Sequence, residues 1–206
     1  MSTTPLIHVI DDDESLRTAL IRLLGAAGFE TSGYASTGDF LMRQPPDRPG
    51  CLLLDIRMPG PSGLDLQEGL RRQGVTLPII FLTGHATVAA SVQAMKAGAV
   101  DFLTKPVDRN TLFEALHRAL ERDQRQRATR DEAARLRARF ALLTPGERKV
   151  FDRIVEGKLN KQVADELGIA ERTVKLWRAQ IMTKLGAGSA AELGGLAEQL
   201  RGLSDR

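Results

Sequence analysis

The stretch CLLLDIRMPG, Cys51 to Gly60, restricts the fold more than any other. Its first four residues are apolar with no polar alternation, so a strand made from them needs both faces covered. That is the situation of a central strand in a parallel sheet between layers of helices, and parallel strands need long, usually helical, crossovers. The flanking sequence supplies them. Pro5–Ile10 and Pro78–Leu82 are further apolar, β-rich runs, and Phe29–Tyr34 and Asp101–Leu103 are shorter ones. Between them the period changes to helical. Leu16, Ala19, Leu20, Leu23 and Leu24 share one face of a helix that begins at Ser15 and is ended by Gly25 and Gly28. Thr37–Gln44, Leu64–Arg72 and Thr87–Ala97 predict three more, the last ended by Gly98. Asp108 or Asn110 caps a fifth that carries Leu112, Phe113, Leu116 and Leu120. QPPDRPG and MPGPSG are loops by composition. Five strand–helix pairs predict an α/β, flavodoxin-like doubly wound (βα)5 parallel sheet, with the order 2-1-3-4-5 favoured under right-handed crossovers.

In such sheets ligands bind outside the carboxyl ends of the strands. Strand one ends at Asp11 and Asp12, strand three at Asp55 and strand four at Thr83, and strand five is followed by Lys105. Singly, each has a plain explanation: an acidic run after a strand is often a solvated turn, and Lys-Pro is often only a turn. Asp13 and Glu14 fit that description, supporting the positive end of the Ser15 helix. Together, the five groups converge on one rim. Three carboxylates crowded there repel one another unless a cation sits between them. With no Cys/His cluster to favour zinc, the fitting ion is hard and divalent, Mg²⁺ or Mn²⁺, which takes oxygen ligands. A carboxylate beside such an ion and a lysine can attack phosphorus, and a threonine hydroxyl can donate to a phosphoryl oxygen.

The blocks VIDDDE, LLLDIRMPG, FLTGHAT and AMKAGAVDFLTKPV, in this order and spacing, resemble the receiver domain of two-component response regulators over residues 5–120. The resemblance implies that Asp55 accepts the phosphoryl group. Asp12 would then bind Mg²⁺ directly, Asp11 mainly through water, and Arg57 through its backbone carbonyl. Thr83 and Lys105 would hold the phosphoryl group, Phe102 would be the aromatic switch, and the Lys105–Pro106 bond would be cis. Phosphorylation adds about 1 to 1.5 units of negative charge to Asp55. Thr83 then moves toward it, Phe102 turns inward, and the surface of the Thr87 helix, strand five and the last helix is reshaped.

The remainder differs in charge. Residues 1–120 hold 11 Lys/Arg against 13 Asp/Glu, and the rest holds 18 against 13. A basic back half points to a polyanionic partner. LERDQRQRATRDEAARLRARF, from Leu120, has no Gly or Pro and predicts a nearly continuous helix, taken as a solvated linker over residues 121–141. Thr144, Pro145 and Glu147 form a capping box that opens a helix with Val150, Phe151, Ile154 and Val155 on its apolar face. Asn160 caps a second helix, Gly168 makes a tight turn, and a third runs to about Lys184 with Val174, Trp177, Ile181 and Leu185 inward. Ser189 to Glu192 opens a fourth. Two short helices about a glycine turn suggest a helix-turn-helix.

LTPGERKVFDRIVEGKLNKQVADELGIAERTVKLWRAQIMTKLGAGS resembles the LuxR-type helix-turn-helix of FixJ/NarL-type regulators, which puts a DNA-binding domain at 142–206. By that resemblance Lys175, Leu176 and Ala179 face bases, while Lys161, Thr173 and Arg178 contact the DNA backbone. Trp177 stands where the family commonly has histidine, and its helical position predicts packing. Gly194-Gly195 is expected to interrupt the fourth helix, the family's DNA-bound dimer contact, at a cost of roughly 1–2 kcal/mol.

Apolar content is 42%, with no run of the roughly 18 residues a membrane span needs. The N-terminal segment does not read as a signal peptide. The single cysteine, Cys51, fits a reducing cytoplasm. The expected protein is a cytoplasmic, phosphorylation-regulated transcription factor, an activator in the favoured reading. Its expected partners are a sensor histidine kinase, double-stranded promoter DNA, RNA polymerase and a second copy of itself, with no membrane. No enzymatic activity is expected beyond hydrolysis of its own acyl phosphate. Rival readings are a phosphorylation-independent regulator, a flavodoxin-like metal-dependent phosphatase and a protein-binding output module.

Overall fold

The structure is a computed structural model that describes residues 4–43 and 47–204, with backbone only at 203–204. Part of the loop read at QPPDRPG, residues 44–46, and the final two residues of the C-terminal domain lie outside the described residues. The chain forms two compact units, one up to Arg127 and the other from Ala128.

The first unit alternates β1 (Leu6–Ile10), α1 (Glu14–Ala26), β2 (Glu30–Tyr34), α2 (Thr37–Arg43), β3 (Gly50–Leu54), α3 (Gly63–Arg72), β4 (Ile79–Thr83), α4 (Val88–Lys96) and β5 (Asp101–Thr104). The helix α5 (Arg109–Ala141) follows without a break through the residues read as a linker. The strands are parallel in the order β2-β1-β3-β4-β5. β1, β3 and β4 are buried at every position, the polar His8 and Thr83 included, as strands covered on both faces require. One sheet face packs Ile7, Val9, Leu53 and Leu82 against Leu20, Leu24, Leu112 and Leu116 of α1 and α5. The other packs Leu52, Leu54 and Phe81 against Phe40, Leu66, Leu70 and Ala94 of α2, α3 and α4.

Several boundaries depart from the sequence reading. α1 runs through Gly25, and it is Gly28, at φ 87°, that ends it, while the Phe29 N–H donates back to the Leu24 carbonyl at 3.1 Å. Asp108, not Asn110, caps α5: its carboxylate accepts from the N–H groups of Asn110 and Thr111 at 2.9 and 3.1 Å. Asp13 caps α1 in the same way, accepting from Ser15 and Leu16. Elsewhere in this unit, Asp123 of α5 is buried and accepts from the Gly50 N–H and from Arg127.

The second unit contains the end of α5 and α6 (Pro145–Val155), α7 (Asn160–Leu167), α8 (Glu171–Leu185) and α9 (Ala190–Ser204). Leu143, Val150, Phe151, Ile154, Val163, Val174, Ile181, Leu185 and Leu193 form its core. The α6 capping box is formed, with Glu147 Oε2 accepting from Thr144 N at 2.7 Å and Thr144 Oγ1 from Glu147 N at 3.3 Å. Glu147 is also buried and paired with Lys184 at 2.7 Å, which ties the first turn of α6 to the last of α8. Asn160 does not cap α7. Leu159 precedes that helix, its N–H donates to Gln162 Oε1 at 2.9 Å, and Asn160 Oδ1 instead accepts from Arg178 at 3.2 Å. α9 is continuous through Gly194 and Gly195, held by buried Leu193 and Ala197 on either side. Tertiary packing there outweighs glycine's low helix propensity. Trp177 packs on the core, and Gly146 is the reason it fits: a Cβ at 146 would stand 2.6 Å from the indole.

Candidate functional site

The parallel sheet brings the carboxyl ends of β1, β3 and β4 to one edge, and the residues leaving those ends meet. Asp11, Asp12 and Asp55 each offer a carboxylate oxygen within 4.8 Å of the others. Asp11 is 2% exposed and Asp55 7%, while Asp12 is open to water. Lys105 reaches in from the loop after β5, its Nζ 2.6 Å from Asp11 Oδ2 and 2.5 Å from Asp55 Oδ2. Its backbone N–H donates to the Thr83 carbonyl at 2.9 Å, so the β4 end and the lysine are held as one piece. The Lys105–Pro106 bond is cis, as expected.

The electrostatics follow from burial. Desolvation raises the Asp11 carboxyl above its ordinary range; the hydrogen bond and charge of Lys105 and the Asp13 N–H pull it down without cancelling that rise, and Asp55 adds to it. For Lys105 burial disfavours the charge, but the bonds to Asp11 and Asp55 outweigh it and hold the ammonium above its usual value. One ammonium against three carboxylates leaves the cluster short of positive charge. The donor set is all oxygen and one ligand faces water, so the residues fit a small hard divalent cation. Such an ion would supply the charge that the lysine alone does not.

Other residues singled out in the sequence lie at the end of β4 (Thr83), in the loop after β3 (Arg57) and on β5 (Phe102). Thr83 is 1% exposed, and its Oγ1 accepts from the His85 N–H at 3.3 Å, which leaves the hydroxyl proton able to donate. Arg57 N–H donates to Asp55 Oδ1 at 3.2 Å and its side chain is exposed. Phe102 is half-buried beside Phe81, with ring centroids 6.2 Å apart. One contact went unread in the sequence: Arg17 of α1 donates to the main-chain oxygen of Asp11 at 2.6 Å. The available signal was a cation six residues past Asp11, in the first turn or so of the next helix.

On the second unit the α7–α8 pair turns at Gly168, which adopts the left-handed conformation at φ 64°. Val174 and Ile181 are buried, so the opposite face of α8 is presented to solvent: Lys175, Leu176 and Ala179 are exposed, Leu176 by 57%. Lys175 Nζ lies 3.1 Å from Glu171, one turn earlier. Thr173 and Arg178 are half-buried at its edges, and Lys161 is exposed on α7. An exposed leucine between a lysine and an alanine on a core-anchored helix suits a groove with apolar and polar features, as in the major groove of DNA.

Residues 7–117 match the response regulator receiver domain family, and residues 141–197 match the bacterial regulatory proteins of the luxR family. Nodulation protein W of Bradyrhizobium diazoefficiens is 43% identical over 97% of this chain and 88% of its own. The transcriptional regulatory protein FixJ of the same organism is 38% identical with both chains fully covered. Among solved structures, response regulator StyR superposes with a TM-score of 0.87 at 42% identity, over 96% of this chain and all of that one. An acidic, lysine-bridged rim on a 2-1-3-4-5 sheet and a four-helix reader with an exposed α8 thus have the same relatives, and the chain belongs to the FixJ-type response regulators, transcription factors that join a receiver domain to a LuxR-type DNA-binding domain.

Proposed function

We propose that Asp55 is the phosphoryl acceptor of this regulator and that its occupancy by phosphate governs DNA binding by α8. The observation that carries the reading is the Lys105 ammonium, which touches both Asp55 and Asp11 at hydrogen-bond distance. In the reaction an Asp55 oxygen attacks the phosphorus of a phosphohistidine on a sensor kinase; a P–O bond forms, the P–N bond breaks, and the imidazole keeps the electron pair. Lys105 binds a phosphoryl oxygen, and Thr83 donates its hydroxyl proton to another. Asp12 directly, Asp11 mainly through water, Asp55 and the Arg57 carbonyl would hold Mg²⁺ or Mn²⁺, which when bound neutralises charge on the transferring oxygens. Phe102 follows Thr83 inward as the switch.

On the output side, Lys175, Leu176 and Ala179 read base edges, and Lys161, Thr173 and Arg178 contact phosphates. Two copies bind a roughly two-fold site, in the cytoplasm, and engage RNA polymerase as an activator. Residues 1–120 receive the phosphoryl group, 121–141 link, and 142–206 bind DNA. The test is selection of duplexes from random DNA, with and without beryllofluoride as a phosphate mimic. Enrichment of a two-fold motif that strengthens with beryllofluoride supports the reading; binding indifferent to beryllofluoride, with no Mg²⁺-dependent labelling by acetyl phosphate, overturns it.

A further inference from the structure

We propose that Arg17 is a positioning residue for the acidic pair at the end of β1, an inference that rests on the reading of Asp11, Asp12 and Asp55 as the cation-binding rim. Arg17 Nη1 donates to the Asp11 carbonyl oxygen at 2.6 Å. That oxygen and the Asp12 N–H belong to one planar peptide unit, so gripping the oxygen sets the plane of the 11–12 peptide. The peptide plane in turn sets the direction in which the Asp12 side chain leaves the backbone. Asp12 is the exposed member of the trio, and among the described residues its carboxylate has no hydrogen-bonded partner to orient it.

The rest of the turn is braced in the same sense. The Asp11 N–H donates to the Tyr34 carbonyl at 3.1 Å, so residue 11 is held on both sides. Asp11 Oδ1 accepts from the Asp13 N–H at 3.0 Å, and the Asp13 carbonyl accepts from the Arg17 N–H at 2.9 Å. Arg17 therefore closes a loop of bonds from the head of α1 back to the tip of β1. Its stem has a prepared path: a Cβ on Gly33 of β2 would come within 3.4 Å of Arg17 Cδ and 2.7 Å of Ile21 Cδ1. A bond from a guanidinium to a carbonyl is charge-assisted and stronger than a neutral one.

The reading differs in sign from a simple electrostatic one. A guanidinium near a cation site repels the cation, so its removal on charge grounds alone would tighten metal binding. A positioning role predicts the reverse. The experiment titrates Mn²⁺ into the full chain, reading free Mn²⁺ by electron paramagnetic resonance, with thermal melting in EDTA as the check on folding. Arg17→Ala should raise the Mn²⁺ dissociation constant five-fold or more. Arg17→Met, which keeps the stem over Gly33 and removes only the donor, should do the same with an unchanged melt. Arg17→Lys, which can still reach the carbonyl, should stay within about two-fold of the parent protein, since a lysine keeps one charged donor. Acetyl-phosphate labelling of Arg17→Met should be deficient at low Mn²⁺ and recover at saturation. Unchanged or tighter Mn²⁺ binding in Arg17→Met overturns the inference and leaves the rim standing. Absence of Mn²⁺ binding by the parent protein removes the rim and the inference together.

Discussion

The rim of the first unit and the exposed face of α8 are both candidate recognition surfaces for phosphate-bearing partners, and they are built in opposite ways. At the rim, Lys105 and Asp11 meet across 94 residues of sequence, the aspartate nearly out of contact with water and the lysine half-buried. On α8 the candidate residues fall within two turns of one helix, with Lys175, Leu176 and Ala179 facing solvent and Thr173 and Arg178 half-buried. In the first case, few and desolvated charges make each group costly to remove. In the second, contacts made in the presence of water would each contribute modestly. The comparison teaches that catalysis-like chemistry needs a pocket assembled by the sheet, whereas groove reading needs only one anchored helix.

That contrast can be broken outright at the acceptor. Asp55→Asn is expected to abolish Mg²⁺-dependent labelling by acetyl phosphate while leaving unphosphorylated DNA binding intact; undiminished labelling would exclude Asp55. The next largest effect belongs to the ion pair. Lys105→Met leaves two buried carboxylates facing each other, expected to cost about 3 kcal/mol of stability in EDTA. Urea unfolding should show the deficit shrinking as Mg²⁺ is added, and a loss independent of Mg²⁺ would mean that no cation shares the cluster.

On α8 the expected losses are smaller and differ in kind. Lys175→Ala should cost about 1–3 kcal/mol at the selected site and relax discrimination at one base pair. Lys161→Ala should weaken all duplexes alike and lower the salt slope by about one. Fluorescence anisotropy over a salt series separates the two; identical profiles would collapse the distinction between base and phosphate contacts.

Acid sharpens the same comparison in stability. His8, buried beside Tyr34, has its pKa lowered to about 4 by desolvation and then by the charge of Arg48. The unfolded chain therefore binds more protons between about pH 6.5 and 4, so the stabilisation is fully present above 6.5 and is lost as pH falls through that window. The size is on the order of 3 kcal/mol. All three histidines, His8, His85 and His117, precede Ala128. In the second unit burial works to raise the Glu147 carboxyl, but Lys184 and Thr144 outweigh it and hold it below 4.5. Its contribution is present above that value and lost as pH falls beneath it. The difference in pH-dependent stability between the parent protein and His8→Leu should thus fall within the pH 6.5–4 window, while that for Glu147→Gln should fall below 4.5. A His8→Leu difference that develops only below pH 4, or a Glu147→Gln difference that develops above pH 4.5, would refute the assignment.

Much of this was readable in advance. Unbroken apolar runs at Cys51–Leu54 and Ile79–Leu82 need cover on both faces, which left little choice but a parallel sheet, and the sheet's polarity selected Asp11, Asp12, Asp55, Thr83 and Lys105 for one edge. Local chemistry was read well where a side chain bonds its own neighbourhood, as with the Thr144–Glu147 box. It was read poorly where a distant group competes. Asn160 looks like a cap until Arg178 takes its oxygen, Gly194-Gly195 looks like a break until Leu193 and Ala197 anchor the helix, and Glu147 gives no hint of Lys184.

What the sequence by itself determined is the alternation of elements, the strand order and the identity of the rim residues, because periodicity and strand-end position are local and the crossover hand is general. What only the tertiary structure decided is how those groups are wired: Lys105 bridging Asp11 and Asp55, Arg17 on the Asp11 carbonyl, Trp177 over Gly146. Such contacts depend on ångström-scale distances between elements far apart in the chain, and spacing along a sequence carries no measure of those.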